Sequence, residues 1–415
     1  MKYIVIGAGS RGMTYGTWAT KHDIEIAAVA EIRPDRLMNA AKLWNVPREM
    51  CFDSPEKLFA LGKIADAAII ATMDRDHYGH VMQALDCGYD ILLEKPISPD
   101  SEECIAIEEK ANQLGRKITV CHVLRYTAFY SKLKEIVDSG KLGKVVAIKH
   151  AENIGNFHMA HSFVRGNWRN DSLSSPIIMQ KSCHDLDILL WLTGAHCTKV
   201  AAFGSLSYFK KSNAPESSTD RCLTCPVAKE CRFDAWQAYL PVLGKWPADV
   251  VCLEQTKEAL REALETGPYG RCVYRCDNNV CDHMSMIMEF DNGVTATFSL
   301  HAQSSEVHRE IQIHCEHGEI FGDDRKGKIT VTHFIRNQSE APLIEEYQTD
   351  DYDKGHGGGD DGIMEDFTAS LSAGIADSRS SISRSVESHL MACAIEEARL
   401  TGKVVDMTQF RNSLM

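Results

Sequence analysis

Short, almost wholly apolar runs alternate with amphipathic stretches through residues 1–121. The runs predict strands at Tyr3–Ile6, Ile24–Ala30, Ala67–Ala71, Ile91–Leu93 and Ile118–Cys121. The stretches between them predict helices at Arg11–Lys21, Pro34–Trp44, Asp76–Cys87 and Asp100–Leu114, with Gly88 and Gly115 where helices end. Strands apolar on both sides and separated by helices indicate a parallel sheet covered on both faces.

Beyond Cys121 the period changes. A helix is expected at Phe129–Ser139, ending at Gly140. Longer alternating runs at His283–Phe290 and Val294–Leu300 flank Asp291-Asn292-Gly293, a strong hairpin signal. Further strands at Ile311–Cys315 and Lys328–Ile335 extend a mostly antiparallel sheet. Residues 210–282 are irregular and rich in Cys, Pro and charge, which marks an insertion. Helices near Asp361–Ser372 and Arg384–Leu400 close the chain. The segment Lys354–Asp361, with three successive glycines, reads as a flexible loop near a site.

The 415 residues suggest two or three domains at roughly 150 residues each. With 44% apolar and 25% charged residues the chain is an ordinary globular one. The net charge of −13 argues against nucleic acid or a membrane surface as the main partner. No apolar run approaches the roughly 18 residues that span a bilayer, and the first strand leaves no room for a leader, so the expected compartment is the cytoplasm. There the fifteen cysteines are expected to be thiols or metal ligands, not disulfides.

Gly7-Ala8-Gly9-Ser10-Arg11-Gly12 follows the first strand and opens the first helix, the context of a dinucleotide-binding fingerprint. Gly7 makes the tight turn, Gly9 admits a pyrophosphate, and Gly12 lets helix pack on strand. Free N–H groups at Ser10 and Arg11 face the phosphates. Glu31, ending the second strand, suits ribose hydroxyls and favours NAD; Arg33 and Arg36 keep NADP open. The expected architecture is therefore α/β. A Rossmann domain covers residues 1–121. A second α/β domain on an open, mostly antiparallel sheet covers 122–415, with the Cys-rich insertion at about 210–282.

The fingerprint, Ala71-Thr72, His77 and Glu94-Lys95-Pro96 together resemble the glucose-fructose oxidoreductase and inositol dehydrogenase (Gfo/Idh/MocA) family. Tyr269-Gly270-Arg271-Cys272, Gly318–Ile320 and Ser388-His389 resemble one branch of it, so the likeness spans the chain. The resemblance implies bound NAD(P), sugar or cyclitol chemistry, cofactor contacts at Thr72, His77, Glu94 and Lys95, and a homodimer or homotetramer. A smaller group of such proteins are glycosidases that use NAD without consuming it.

Oxidising an alcohol needs a base for the hydroxyl proton and a positive group for the developing alkoxide. Lys95, at the end of a parallel strand, is the candidate cation; His184 is the candidate base. The helix after Ser182 runs to Gly194, so Lys181, His184 and Asp187 are expected on one face, with Asp187 orienting the ring. The family commonly carries aspartate four residues before this histidine; here the position is Gln180. Residues 152–170 have poor periodicity and gather His158, His161, Arg165, Trp168 and Arg169, groups that suit a carbohydrate. His122, Arg125 and Tyr126, after the last strand of the first domain, are further substrate candidates. All of these have a structural alternative, as packed loop or helix residues.

In the insertion, Cys222, Cys225 and Cys231 stand in a C-x2-C-x5-C pattern, with Cys272 and Cys276 following. Structural zinc on Cys222, Cys225, Cys231 and Cys272 is the leading expectation, with Cys276 in reserve and an iron–sulfur cluster or no metal as alternatives. Three functions fit the whole: an NAD-dependent sugar or cyclitol dehydrogenase, an NAD-dependent glycosidase that oxidises, eliminates, hydrates and re-reduces, and a non-enzymatic sensor. Lys95 with His184 favours the first two.

Overall fold

The computed structural model describes residues 1–350, 355–372 and 378–414. Lys354 of the expected loop lies outside them. Six parallel strands form the first sheet, in the order Cys51–Phe52, Glu25–Ala30, Lys2–Ile6, Ala67–Ile70, Asp90–Leu93, Ile118–Val120. The order reverses beside Lys2–Ile6, which opens a crevice at the carboxyl ends of Lys2–Ile6 and Ala67–Ile70.

Both faces of this sheet are covered. Ile4, Ile6, Ile70, Ile91 and Leu93 point to one side and pack with Val81, Leu85, Cys104 and Ile107 of helices His77–Asp86 and Ser101–Leu114. Tyr3, Val5, Ile69 and Leu92 point to the other and meet Tyr15, Ala19 and Trp44 of helices Ser10–Lys21 and Pro34–Trp44. The C-terminal helix Gly359–Ser372 returns to this second side and buries Ile363, Met364 and Phe367 there. The edge strand Cys51–Phe52, only two residues long, has no run of its own to announce it.

The second sheet has nine strands, in the order Ile344–Gln348, Lys328–His333, Gly318–Asp323, His308–Cys315, Val145–Asn153, Thr295–His301, His283–Phe290, Cys197–Ser205, Val405–Asp406. It is antiparallel except where Val145–Asn153 pairs with Thr295–His301. The expected hairpin forms: Thr295–His301 pairs antiparallel with His283–Phe290, and Gly293 takes a φ of +85°. Met284, Met286, Met288 and Phe290 alternate inward. Val146, Phe203, Ile287, Phe321 and Ile344 stand exposed on these strands.

The strand Val145–Asn153 departs from expectation for a physical reason. Its inward positions are Ile148, His150 and Glu152, so buried polar groups break the apolar alternation. The next segment, Met159–Arg165, is a π-helical turn, wider than the helical period that sequence patterns detect. The insertion is built of turns and short helices, chiefly Ala235–Tyr239 and Lys257–Thr266, joined by one bridge between Arg221 and Arg271. Among the described residues no helix is long and apolar enough to cross a membrane.

Candidate active site

Gly7 sits at φ +89°, and a Cβ there would come within 2.6 Å of the Ala71 carbonyl oxygen. A Cβ on Gly12 would reach 1.9 Å from the Gly7 carbonyl oxygen, so helix and turn can touch only through glycine. Gly9 differs: its Cβ would meet only the Arg36 guanidinium, at 3.6 Å. Gly9 caps helix Ser10–Lys21 without a side-chain bond, and the first turn holds no acid. An open backbone and an uncapped helix N-terminus fit a pyrophosphate. Glu31 is turned onto this loop, accepting from Ala8 N at 2.8 Å and Arg33 N at 2.9 Å. Thr72 hydrogen-bonds His80 at 3.0 Å.

Three expected cofactor contacts, Arg11, Glu94 and His77, have other work. The Arg11 guanidinium does not reach outward; it donates to Glu94 at 2.7 Å and to both oxygens of Asp360, at 2.6 and 3.0 Å. Glu94 also accepts from Tyr15 at 2.7 Å and from the Lys95 N–H at 2.9 Å. Burial pushes the Glu94 carboxyl up, but Arg11 and Lys95 outweigh it and hold it below the usual range. His77 lies between two backbone carbonyls, of Pro96 at 2.6 Å and Thr72 at 3.2 Å. His389, from helix Ile382–Thr401, accepts from Ile97 N at 3.0 Å and donates to the Ser385 carbonyl at 2.9 Å. Glu94, His77 and His389 together fix the loop that carries Lys95.

Lys95 crosses to the second domain. Its ammonium donates to the Gln180 carbonyl at 2.6 Å. The Gln180 side chain turns away, bonding Ser174 and the Ser175 carbonyl. Four residues on, His184 is 6% exposed, and its Nδ1 is buried without a hydrogen-bond partner. Burial, then Lys95 and His122, depress the His184 pKa well below the ordinary imidazole value. His184 is therefore a neutral ring, unprotonated and able to accept a proton, beside the Lys95 ammonium. His122 stands edge-on to it with ring centroids 5.7 Å apart, and His389 lies 5.5 Å beyond. Burial lowers His122 to about 4 and His389 to about 3.

Asp187 does not orient His184. Arg125 grips both its oxygens at 2.7 Å, and the nearer imidazole is His122, at 4.0 Å. The pair is buried, so Arg125 is not available to a substrate. Tyr126 is likewise engaged, donating to Asp366 at 2.8 Å. Lys181 stands 3.1 Å from Glu152, whose other oxygen is 2.5 Å from Arg309. Burial lowers the Lys181 pKa, and Glu152 only partly restores it. Arg309 also donates to Asp185 at 2.7 Å, which His150 contacts at 2.8 Å.

The stretch 152–170 divides. His158 is half-buried and packs against Phe163 and Trp246 at 5.7 and 5.1 Å. Burial and then Lys181 depress its pKa, which places it on the Lys181 side of the cleft. His161 stacks on Tyr269 at 4.7 Å and bonds Tyr239 at 2.9 Å, inside the insertion. Arg165 is wholly buried beside Cys222, and Arg169 is held by both oxygens of Asp277. The Trp168 indole donates to Asp74 at 3.3 Å while its ring is 37% exposed. The sequence reading missed Glu152, Asp185, Arg309, His389 and Asp360. The residues Ser388-His389 were visible as a motif, and Asp360 lay in the glycine-rich loop.

The zinc expectation is not supported. Among the described residues no group of three or more His, Cys, Asp or Glu is arranged to hold a metal ion. None of the fifteen cysteines is paired in a disulfide.

Comparison with known proteins decides the family. The family model of an oxidoreductase NAD-binding Rossmann fold matches residues 1–122, and that of the same family's C-terminal alpha/beta domain matches 134–407. The chain belongs to the Gfo/Idh/MocA oxidoreductase family. Within it, the "Putative oxidoreductase YteT" of Bacillus subtilis (strain 168) is 25% identical over 83% of this chain and 82% of that protein. An inositol 2-dehydrogenase of Corynebacterium glutamicum (strain R) is 29% identical over 47% of this chain, about half of its own length (55%). The fold of a levoglucosan dehydrogenase in complex with NADH superposes with a TM-score of 0.72 at 16% identity, covering 98% of this chain and 99% of that one. That of a scyllo-inositol dehydrogenase from Lactobacillus casei, with NAD(H) and scyllo-inositol bound, gives 0.67 at 19% identity, covering 98% and 99%. This Gfo/Idh/MocA chain is thus an NAD-binding oxidoreductase by family.

Proposed function

We propose that the protein oxidises a secondary hydroxyl of a sugar, sugar derivative or cyclitol, with NAD as cofactor. The observation that carries this reading is the pairing of Lys95 with His184 across the domain boundary. The Lys95 ammonium is held by a backbone carbonyl, and the pKa of the imidazole beside it is depressed by burial and by that lysine, so the ring is neutral at physiological pH. Bound NAD supplies the hydride acceptor. Lys95 holds the substrate oxygen and stabilises the alkoxide that develops on it. His184 takes the hydroxyl proton. Lys181, paired with Glu152, and His158 with Trp246 form the substrate side, where hydroxyls meet polar groups and C–H faces meet an aromatic ring. Glu31 beside the glycine loop favours NAD, because its carboxylate repels a 2′-phosphate. The exposed apolar residues on the second sheet support pairing of subunits through that face, as a homodimer or homotetramer.

The test is a panel of cyclitols, monosaccharides, anhydrosugars and glycosides with NAD. Steady NADH formation with a keto product is expected, reduced about 1,000-fold in Lys95→Met and at least about 100-fold in His184→Ala. Aglycone release with NAD unconsumed would instead assign the glycosidase reaction, with Lys181 or His158 serving the elimination. No turnover across the panel, with NAD bound, would overturn both.

A further inference from the structure

The insertion poses a stability problem. It spans roughly 70 residues, has no disulfide, and its separate core is small: Cys222, Ala235, Tyr239, Ala248, Leu260 and Leu264. Phe209, Phe233, Val273, Tyr274 and Val280 tie part of it to the main core, but a cluster this small is commonly reinforced by a covalent or metal staple. Three separate stretches of chain bring Cys222, Cys225, Cys231 and Cys272 to the wall of one cavity of about 20 Å³. Cys276 and Cys252 do not line it.

The shape of this arrangement distinguishes its occupants. Four thiolates at about 2.3 Å from one zinc ion press against each other and leave no space for even a water molecule between them. Here the four cysteines surround a space of water size, and no three of them converge as a single ion would require. An iron–sulfur cluster separates its cysteine sulfurs by its own iron and sulfide atoms.

Charge gives a second, independent argument. Arg165 is 1% exposed, and among the described residues its guanidinium forms no ion pair, although the buried Asp234 lines the same cavity. It donates to the Arg271 and Phe233 carbonyls at 2.7 and 2.6 Å and to the Tyr239 hydroxyl, and it meets the Cys222 sulfur at 3.3 Å. A buried cation without a counter-ion is strongly disfavoured. Ligated thiolates would supply negative charge beside it, and a guanidinium N–H donated to a ligand sulfur would stabilise that thiolate.

We infer that Cys222, Cys225, Cys231 and Cys272 ligate an iron–sulfur cluster in this cavity. Each thiol gives its proton to solvent as its sulfur binds iron; the iron and sulfide come from outside the chain. The cluster does no redox step here. It pins the insertion, whose Tyr269 and Trp246 pack on His161 and His158 and so wall the substrate side.

The test is metal and sulfide analysis of full-length protein purified without oxygen, before and after reconstitution with ferrous iron and sulfide. Iron and acid-labile sulfide in equal amounts, about two to four each per chain, with visible charge-transfer absorption, are expected. Cys225→Ser and Cys231→Ser should lose both, whereas Cys252→Ser and Cys276→Ser should keep them. Arg165→Met, if it folds, should lose cluster faster in air than the wild type. Zinc near one equivalent without sulfide, or the same number of titratable thiols in denatured protein whether or not it was reconstituted, with no iron or sulfide retained, would overturn the inference. Wild-type analysis alone decides it if the variants do not fold.

Discussion

The two sides of the cleft treat buried polar groups in opposite ways. On the glycine-loop side the buried charges are paired: Arg11 with Glu94 and Asp360, Glu31 with two backbone N–H groups. On the histidine side, both ring nitrogens of His122 and one of His184 are buried with no hydrogen-bond partner. Unpaired buried groups cost free energy, so a fold tolerates them where they do something else. The paired side holds backbone and loop in place. The unpaired side keeps an imidazole free to take a proton. Fixed ion pairs nearby, Arg125 with Asp187 and Arg309 with Asp185, brace the second side without consuming the free nitrogens.

Mutations separate these roles. The largest effect on stability is expected for Arg125→Met, which strands the Asp187 carboxylate in the core. Loss of one partner from a buried pair costs roughly 3–5 kcal/mol, readable as a lower urea midpoint. Lys95→Met should lower kcat/KM about 1,000-fold, close to 4 kcal/mol, while NAD still binds by fluorescence titration. His184→Ala should lower kcat by about 100-fold or more with a normal unfolding midpoint, since its ring carries no structural hydrogen bond through Nδ1. Equal damage to stability and turnover in His184→Ala would erase the contrast between the two sides.

A smaller effect follows from protonation. His122 is lowered to about 4, and His161 and His389 to about 3, each mainly by burial. Unfolded histidines bind protons near pH 6.5, so the unfolded state gains protons first as the solution is acidified. Stability is therefore whole above pH 6.5 and falls as pH drops toward the folded values. His122 alone should contribute a loss of roughly 1–2 kcal/mol between pH 7 and 5, and His122→Gln should flatten that part of the curve. Asp324, raised by burial to about 6, works in the opposite direction and softens the total. Denaturant titrations at pH 5, 6 and 7 would read the slope; a flat wild-type profile would contradict the buried neutral histidines. The same depression predicts that kcat/KM stays level from pH 8 down past 6.5, with no inflection at the ordinary imidazole value.

What could be read from the residues follows the same division. The glycine turn was legible because only glycine satisfies its backbone geometry, and Lys95 because strand, turn and motif coincide. The partner of Asp187 was not, since Arg125 lies 62 positions away in another segment. Glu152 and Arg309 face each other across adjacent strands, a register that no local pattern encodes. Arg165 looked like a substrate group because its charge suggested exposure, whereas the fold buries it against sulfur. The cysteine spacing located a cluster of thiols correctly, but spacing carries no information about how far apart the sulfurs stand.

The central claim is that hydride leaves a carbinol carbon held between Lys95 and His184. Its most direct test uses substrates from the panel deuterated at their ring C–H positions, incubated with NAD and analysed by mass spectrometry of the recovered cofactor. The account predicts one deuterium on the nicotinamide ring with the wild type and none with Lys95→Met. Turnover of a substrate without any label reaching the cofactor would contradict it.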